Sequence, residues 1–106
     1  MKIAIIGAAG SVGAPAAFYL AAQGLADEIL MIGGERQNVL KQHAMDISTA
    51  VSSLGVKIVP GGYENMEGSD IVINTAGVYY GLIKDRMEML PKNIPLIQDI
   101  AGELER

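Results

Sequence analysis

Cysteine is absent from this 106-residue chain. That excludes a disulfide framework, a thiolate nucleophile and any zinc site built on cysteine. Charge is sparse: 19% of residues are charged and the formal net charge is −4. Such a balance argues against non-specific binding to nucleic acid or to an anionic membrane. Long apolar runs are missing as well, since none approaches the ~20 residues needed to span a bilayer. The apolar opening "MKIAIIGAAG" is too short for a signal peptide and is broken at Gly7, Gly10 and Gly13. A soluble, cytoplasmic protein with no nucleic-acid and no membrane partner is the expectation. One further absence is local. In "ILMIGGER" the apolar run ends on Gly33 and Gly34, where a dinucleotide-binding strand usually carries an acidic residue.

What is present suits a single small folded domain. Half of the residues are hydrophobic, which excludes general disorder. A chain of this length buries roughly two thirds of its unfolded surface, enough for one core without staples. Residues 2–6, "KIAII", read as a strand buried on both faces. The segment "SVGAPAAFYLAAQG" reads as a helix rich in small residues, with Pro15 tolerable in a first turn and Gly24 suited to the C′ position. "EILMI" is a second strand, and residues 36–50 repeat apolar positions at helical spacing. "VKIVP" is a third strand, stopped at Pro60-Gly61-Gly62. "DIVINTAG" is a fourth, and residues 86–106 read as helical despite Pro91 and Pro95. The order β-α-β-α-β-β-α predicts an α/β fold: a Rossmann-type parallel sheet with helices on both faces, incomplete at its later end. Ligands of such sheets bind beyond the carboxyl ends of the strands.

The turn Gly7-Ala8-Ala9-Gly10-Ser11-Val12-Gly13 lies after a strand and at the start of a helix. Glycine permits the tight bend and lets a pyrophosphate approach the backbone. The helix start then offers unpaired N–H groups and partial positive charge, and Ser11 adds a hydroxyl donor. The alternative is that small residues merely allow close strand–helix packing. A Walker A loop is excluded, because no Gly-Lys-Ser/Thr follows.

The segments "KIAIIGAAGSVG", "HAMDI", "GSDIVINTAGV" and "RMEMLPKNIPLIQDIA" occur in an order and spacing that resemble the lactate/malate dehydrogenase family along the whole chain. The resemblance implies an NAD(P)-dependent oxidoreductase that moves a hydride between nicotinamide and a small 2-hydroxy acid, and it implies a homo-oligomer. It also implies that Gly10, Ser11 and Val12 line the pyrophosphate and that Thr75, Ala76 and Gly77 border the coenzyme. Residues 78–86 would form the substrate loop, with Arg86 polarising the substrate carbonyl. An always-charged guanidinium with a fixed fork of donors suits that task. Tyr80 stands where malate enzymes carry an arginine for the second carboxylate, and tyrosine cannot neutralise a carboxylate. The family's proton-relay histidine and its partner aspartate belong to a later portion that this chain does not contain. Its one histidine, His43, falls in the second predicted helix and reads as a surface or edge residue. Asp46 reads as a helix residue and Asp70 as a turn residue before the fourth strand. The chain therefore reads as the coenzyme-binding part of a larger dehydrogenase, unable to catalyse alone, its substrate bound once a second domain is supplied. The other reading is a non-catalytic nucleotide-binding or sensory module acting with a partner chain. A sugar-epimerase-type protein has only the formal match Tyr80-Gly81-Leu82-Ile83-Lys84, in a loop.

Gly33 lies ~20 residues past the glycine turn, where an NAD-selective fold places Asp or Glu to accept hydrogen bonds from the ribose 2′-OH. Glycine there removes the carboxylate that would repel a 2′-phosphate. Gly34 leaves room, and Arg36 supplies a cation for that phosphate. The pattern resembles NADP-dependent malate dehydrogenases, so NADP is preferred over NAD. The alternative is a plain turn in which Glu35 swings back to hold the ribose of NAD.

Overall fold

The computed structural model describes residues 1–34, 36–77 and 90–105. They fall into two units, Met1–Thr75 and Ala76–Arg106. The first holds a parallel sheet of β1 (Lys2–Ile6), β2 (Glu28–Ile32), β3 (Lys57–Gly61) and β4 (Ile71–Asn74), in the order β3-β2-β1-β4. Helix α1 (Gly13–Ala22) joins β1 to β2, and α2 (Gln37–Ala50) leads from β2 towards β3. Short 3-10 turns occupy Ser52–Leu54 and Tyr63–Asn65.

The core follows from strand alternation meeting helical stripes. Ile3 and Ile5 of β1 and Ile29 and Met31 of β2 cluster with Ala17 and Ala21 of α1 and with Leu40, Ala44 and Ile47 of α2. Alternate side chains of a strand point to one face, whereas positions three and four apart share a helix face. The opposite set, Ala4, Ile6, Leu30 and Ile32, is buried too, as expected of central parallel strands. The buried stripe of α1 is Gly13, Ala14, Ala17 and Ala21, so small residues let the helix lie close to the sheet.

Helix ends form where local chemistry allows. Pro15 falls in the first turn of α1, whose N–H groups lack intrahelical acceptors. At the other end Gly24 adopts φ +67°. Its N–H donates to Ala21 O at 3.1 Å, and the Leu25 N–H donates to Leu20 O at 3.4 Å. Those two bonds are the Schellman pair that satisfies carbonyls at a helix end.

The two outer strands need separate comment. β3 includes Pro60 and ends at Gly61, within the expected Pro60-Gly61-Gly62 stop. Lys57 donates its N–H to Asp27 O at 2.9 Å. By alternation the position of the missing Pro60 donor points away from β2, at a sheet edge, where proline is tolerated. β4 is apolar but not buried throughout: Ile71 is 44% and Val72 38% exposed. It occupies the other edge of the sheet among the described residues. In the second unit α3 spans Leu90–Leu104, with Pro91 near its start and Pro95 inside it. Asn93, Leu96, Ile100 and Glu103 are its less exposed positions, a stripe at helical spacing.

Candidate functional site

Strand order sets the location. The chain builds outward from β1 through β2 to β3, then crosses back to place β4 on the other flank of β1. Such a reversal leaves a crevice outside the carboxyl ends of the two strands that flank it. Here those ends are Ile6, which enters the glycine turn, and Asn74, which enters Thr75.

Residues 7–13 form a tight, braced bend. Gly7 takes φ +83°, which is strained for any residue with a side chain. Its N–H and that of Ala8 both donate to Ile32 O, at 2.9 and 3.0 Å, tying the bend to the end of β2. The Gly10 N–H returns to Gly7 O at 3.1 Å. Thr75 closes the bend from the β4 side. Its N–H donates to Ile6 O at 2.9 Å, and its hydroxyl is placed to donate to Ile6 O at 2.8 Å and Gly7 O at 3.2 Å. Gly13 fits into this knot. A Cβ there would overlap Gly7 O and stand 2.7 Å from Thr75 Oγ1 and 2.8 Å from Ala8 Cα.

The start of α1 is left open. Val12 is its N-cap residue, without a side-chain capping bond, and no acidic residue occupies the first turn. Among the described residues the N–H groups of Ser11, Val12 and Gly13 meet no acceptor. Ser11 is exposed and Val12 is 65% exposed. Unpaired donors, the positive end of a helix dipole and no competing carboxylate make a cradle that fits a phosphate group.

The bend after β2 is the second part of the site. Gln37 Nε2 donates to Gly33 O at 3.2 Å and to Gly34 O at 2.7 Å, holding the loop against the start of α2. A Cβ on Gly33 would lie 3.2 Å from Leu40 Cδ2, whereas one on Gly34 would meet nothing within 4 Å. Arg36 is the exposed N-cap residue of α2, again without an acidic residue in the first turn. Beside this loop an open cleft of about 390 Å³ runs between Gly33, Gln37 and Lys41 on one side and residues 60–64 on the other. Sequence reading missed that cleft and the Gln37 brace. The four-residue spacing of Gln37 and Lys41, which puts both on one helix face, was the available signal.

Of the residues singled out from the sequence, Gly7, Gly10, Ser11, Val12, Gly13, Gly33, Gly34, Arg36 and Thr75 all lie at the carboxyl ends of β1, β2 and β4. Ala76 and Gly77 follow Thr75 in the second unit. Tyr80 and Arg86 lie outside the described residues, as does Glu35. His43 is half-buried on α2 and Asp46 exposed there. Asp70 has a structural partner, accepting the Lys2 N–H at 2.8 Å. Among the described residues no cluster of His, Asp and Glu could hold a metal, and no helix is long and apolar enough to cross a membrane.

Comparison with known proteins agrees with this geometry. The family model described as lactate/malate dehydrogenase, NAD binding domain, matches residues 1–106. A malate dehydrogenase of Natronomonas pharaonis is 33% identical over 106 residues, covering 98% of this chain and 35% of that protein. An L-lactate dehydrogenase of Clostridium botulinum is 38% identical over 104 residues, covering 97% and 32%. Among solved structures, a lactate dehydrogenase of Cryptosporidium parvum, complexed with lactic acid and nicotinamide adenine dinucleotide, superposes with a TM-score of 0.86 at 28% identity, over 99% of this chain and 33% of that one. The chain thus spans about one third of the length of the relatives it matches. With the glycine turn, the reversed strand order and the family match in agreement, the chain belongs to the lactate/malate dehydrogenase family, whose NAD-binding domain it carries.

Proposed function

We propose that this chain is the coenzyme-binding part of a dehydrogenase that exchanges a hydride between a nicotinamide coenzyme and a small 2-hydroxy or 2-oxo acid, with NADP preferred over NAD. The observation that carries the reading is the open cradle at the start of α1, placed at the strand-order reversal in a member of this family. Gly7 shapes the bend, Gly13 lets α1 approach it, and Gly10, Ser11 and Val12 line the pyrophosphate, with Ser11 and Val12 presenting unpaired N–H donors to it. Thr75 fixes the bend from below, and Ala76 and Gly77 border the coenzyme. When bound, the nicotinamide supplies or accepts the hydride. Arg86 polarises the substrate carbonyl, and Tyr80 in place of an arginine disfavours a second carboxylate on the substrate. Preference for the 2′-phosphate rests on three residues. Gly33 brings no carboxylate, Gly34 leaves space, and Arg36 brings a cation.

This chain alone does not complete the reaction, because coupled hydride and proton transfer needs a positioned acid–base group. His43, its sole histidine, sits on α2, a helix that carries no other proposed catalytic residue. Titration with NADPH, followed by coenzyme fluorescence after circular dichroism has established folding, tests the reading. Saturable binding is expected, tighter for NADPH than for NADH, with the difference reduced in Arg36→Ala. No saturation at millimolar coenzyme would sink the coenzyme reading, and equal affinities would sink the NADP preference.

A further inference from the structure

We infer that Lys41, on α2, is a specificity-determining residue that reads the 2′-phosphate of the coenzyme from the wall of the cleft that it shares with Gly33. The inference rests on the NADP reading above and extends it to a position outside the β2–α2 loop.

The cleft of about 390 Å³ begins at Gly33, the position closest in the chain to the expected ribose contact, and is walled along α2 by Gln37 and Lys41. Those two residues are one helical turn apart and share a face. Gln37 is already committed, since its amide donates to Gly33 O and Gly34 O. Lys41 is therefore the free donor on that wall. Among the described residues its ammonium has neither a hydrogen-bond acceptor nor a counter-ion.

The charges around it leave it available. Asp46, the only carboxylate of α2, stands five positions later, which turns it about 140° round the helix from Lys41. Glu64 lines the opposite wall. Its carboxylate lies over the Gly62 backbone, 2.5 Å from where a Gly62 Cβ would stand, and it forms no ion pair with Lys41. An unpaired ammonium on a flexible four-carbon stem is a mobile point charge well suited to a phosphate dianion. It offers far less to a neutral 2′-hydroxyl, so its contribution discriminates between the two coenzymes. Because Lys41 is exposed, solvent and salt screen that contribution. The expected effect is therefore about tenfold in affinity, or about 1.4 kcal/mol.

The test compares the 106-residue chain with Lys41→Met, which keeps the stem and removes the charge, and with Lys41→Arg. The probes are NADPH and 2′,5′-ADP, set against NADH and 5′-AMP. Lys41→Met should raise the Kd for both 2′-phosphorylated probes about tenfold and leave NADH and 5′-AMP within about twofold. It should also flatten the salt dependence of NADPH binding. Lys41→Arg should restore NADPH affinity to within about threefold of the parent. A parent chain that prefers NADPH, with the preference unchanged in Lys41→Met, would overturn this inference and leave the NADP reading standing. Equal losses for NADPH and NADH would overturn it as well, by showing a general role in the fold. A parent chain with no preference for NADPH would remove the NADP reading and this inference with it.

Discussion

Substitution of Gly13 by alanine tests the geometry of the glycine turn most directly. The added Cβ would overlap Gly7 O, stand 2.7 Å from Thr75 Oγ1 and lie 2.8 Å from Ala8 Cα. The last distance falls about 0.7 Å short of ordinary carbon–carbon contact at ~3.5 Å. Thr75 can turn its hydroxyl aside, but Gly7 O and Ala8 Cα are backbone atoms. The Gly7 carbonyl is held by the Gly10 N–H, and Ala8 is held by Ile32 O. Relief therefore requires α1 to move off β1. Overpacking of this kind costs about 1–3 kcal/mol, and two backbone obstacles place Gly13→Ala near the upper end. The preference of helices for alanine over glycine returns about 0.5–1 kcal/mol. A net loss of about 2 kcal/mol lowers the melting temperature of a domain of this size by about 8–16 °C. Thermal melts followed by circular dichroism should rank a series built on the same geometry. Gly10→Ala, whose Cβ would lie 3.3 Å from Gly7 O, should cost less. Gly34→Ala, with nothing within 4 Å, should melt with the parent. A melt of Gly13→Ala within about 2 °C of the parent would refute the reasoning. So would full rescue by adding Thr75→Ala, because the obstacle would then be the hydroxyl alone.

Two further outcomes follow from other parts of the structure. Gly33→Asp places a carboxylate beside the expected ribose and presses on Leu40, whose Cδ2 lies 3.2 Å and whose Cβ and Cδ1 lie 3.4 Å from the new Cβ. It should cost about 1–3 kcal/mol of stability, since the neighbour is a fully buried core side chain. In fluorescence titrations it should shift preference towards NADH, and retained preference for NADPH would count against the assignment of this bend. At the opposite end of the sheet the α-ammonium of Met1 donates to Asp27 Oδ2 at 2.6 Å. That hydrogen bond, reinforced by the charge attraction, holds the Asp27 carboxyl below its ordinary 3.8 and the ammonium above its ordinary 8.0. The pair's stabilisation is present between those limits. It is lost as pH falls through the lowered carboxyl value, or as pH rises through the raised ammonium value. An NMR titration of Asp27→Asn should bring the Met1 ammonium back towards its ordinary value, and an unchanged titration would show that the pair does not form in solution.

The sequence by itself determined the elements and most of the site's membership. β1 and β2 are continuous apolar runs, and burial on both faces of a parallel sheet permits little else there. Gly24 was legible as a helix terminator because a positive φ suits glycine and few other residues. The bend at residues 7–13 was legible because its glycines stand between a strand and a helix, the one context in which they gain a mechanism. Sequence reading gave no means of seeing what depends on which strands become neighbours. Pro60 is harmless only because β3 is an edge strand whose residue-60 position points away from β2. Ile71 and Val72 look like core residues, yet on β4, at the other edge among the described residues, both are exposed. Tertiary structure alone placed the Thr75 hydroxyl against Ile6 O and Gly7 O, across a separation of nearly seventy residues. It alone set Lys41 beside Gly33 along a common cleft. Local propensity and periodicity act over a few residues and so are written in the chain. Register between distant strands is fixed only when the whole sheet closes over its core, and the cleft exists only in that assembled register.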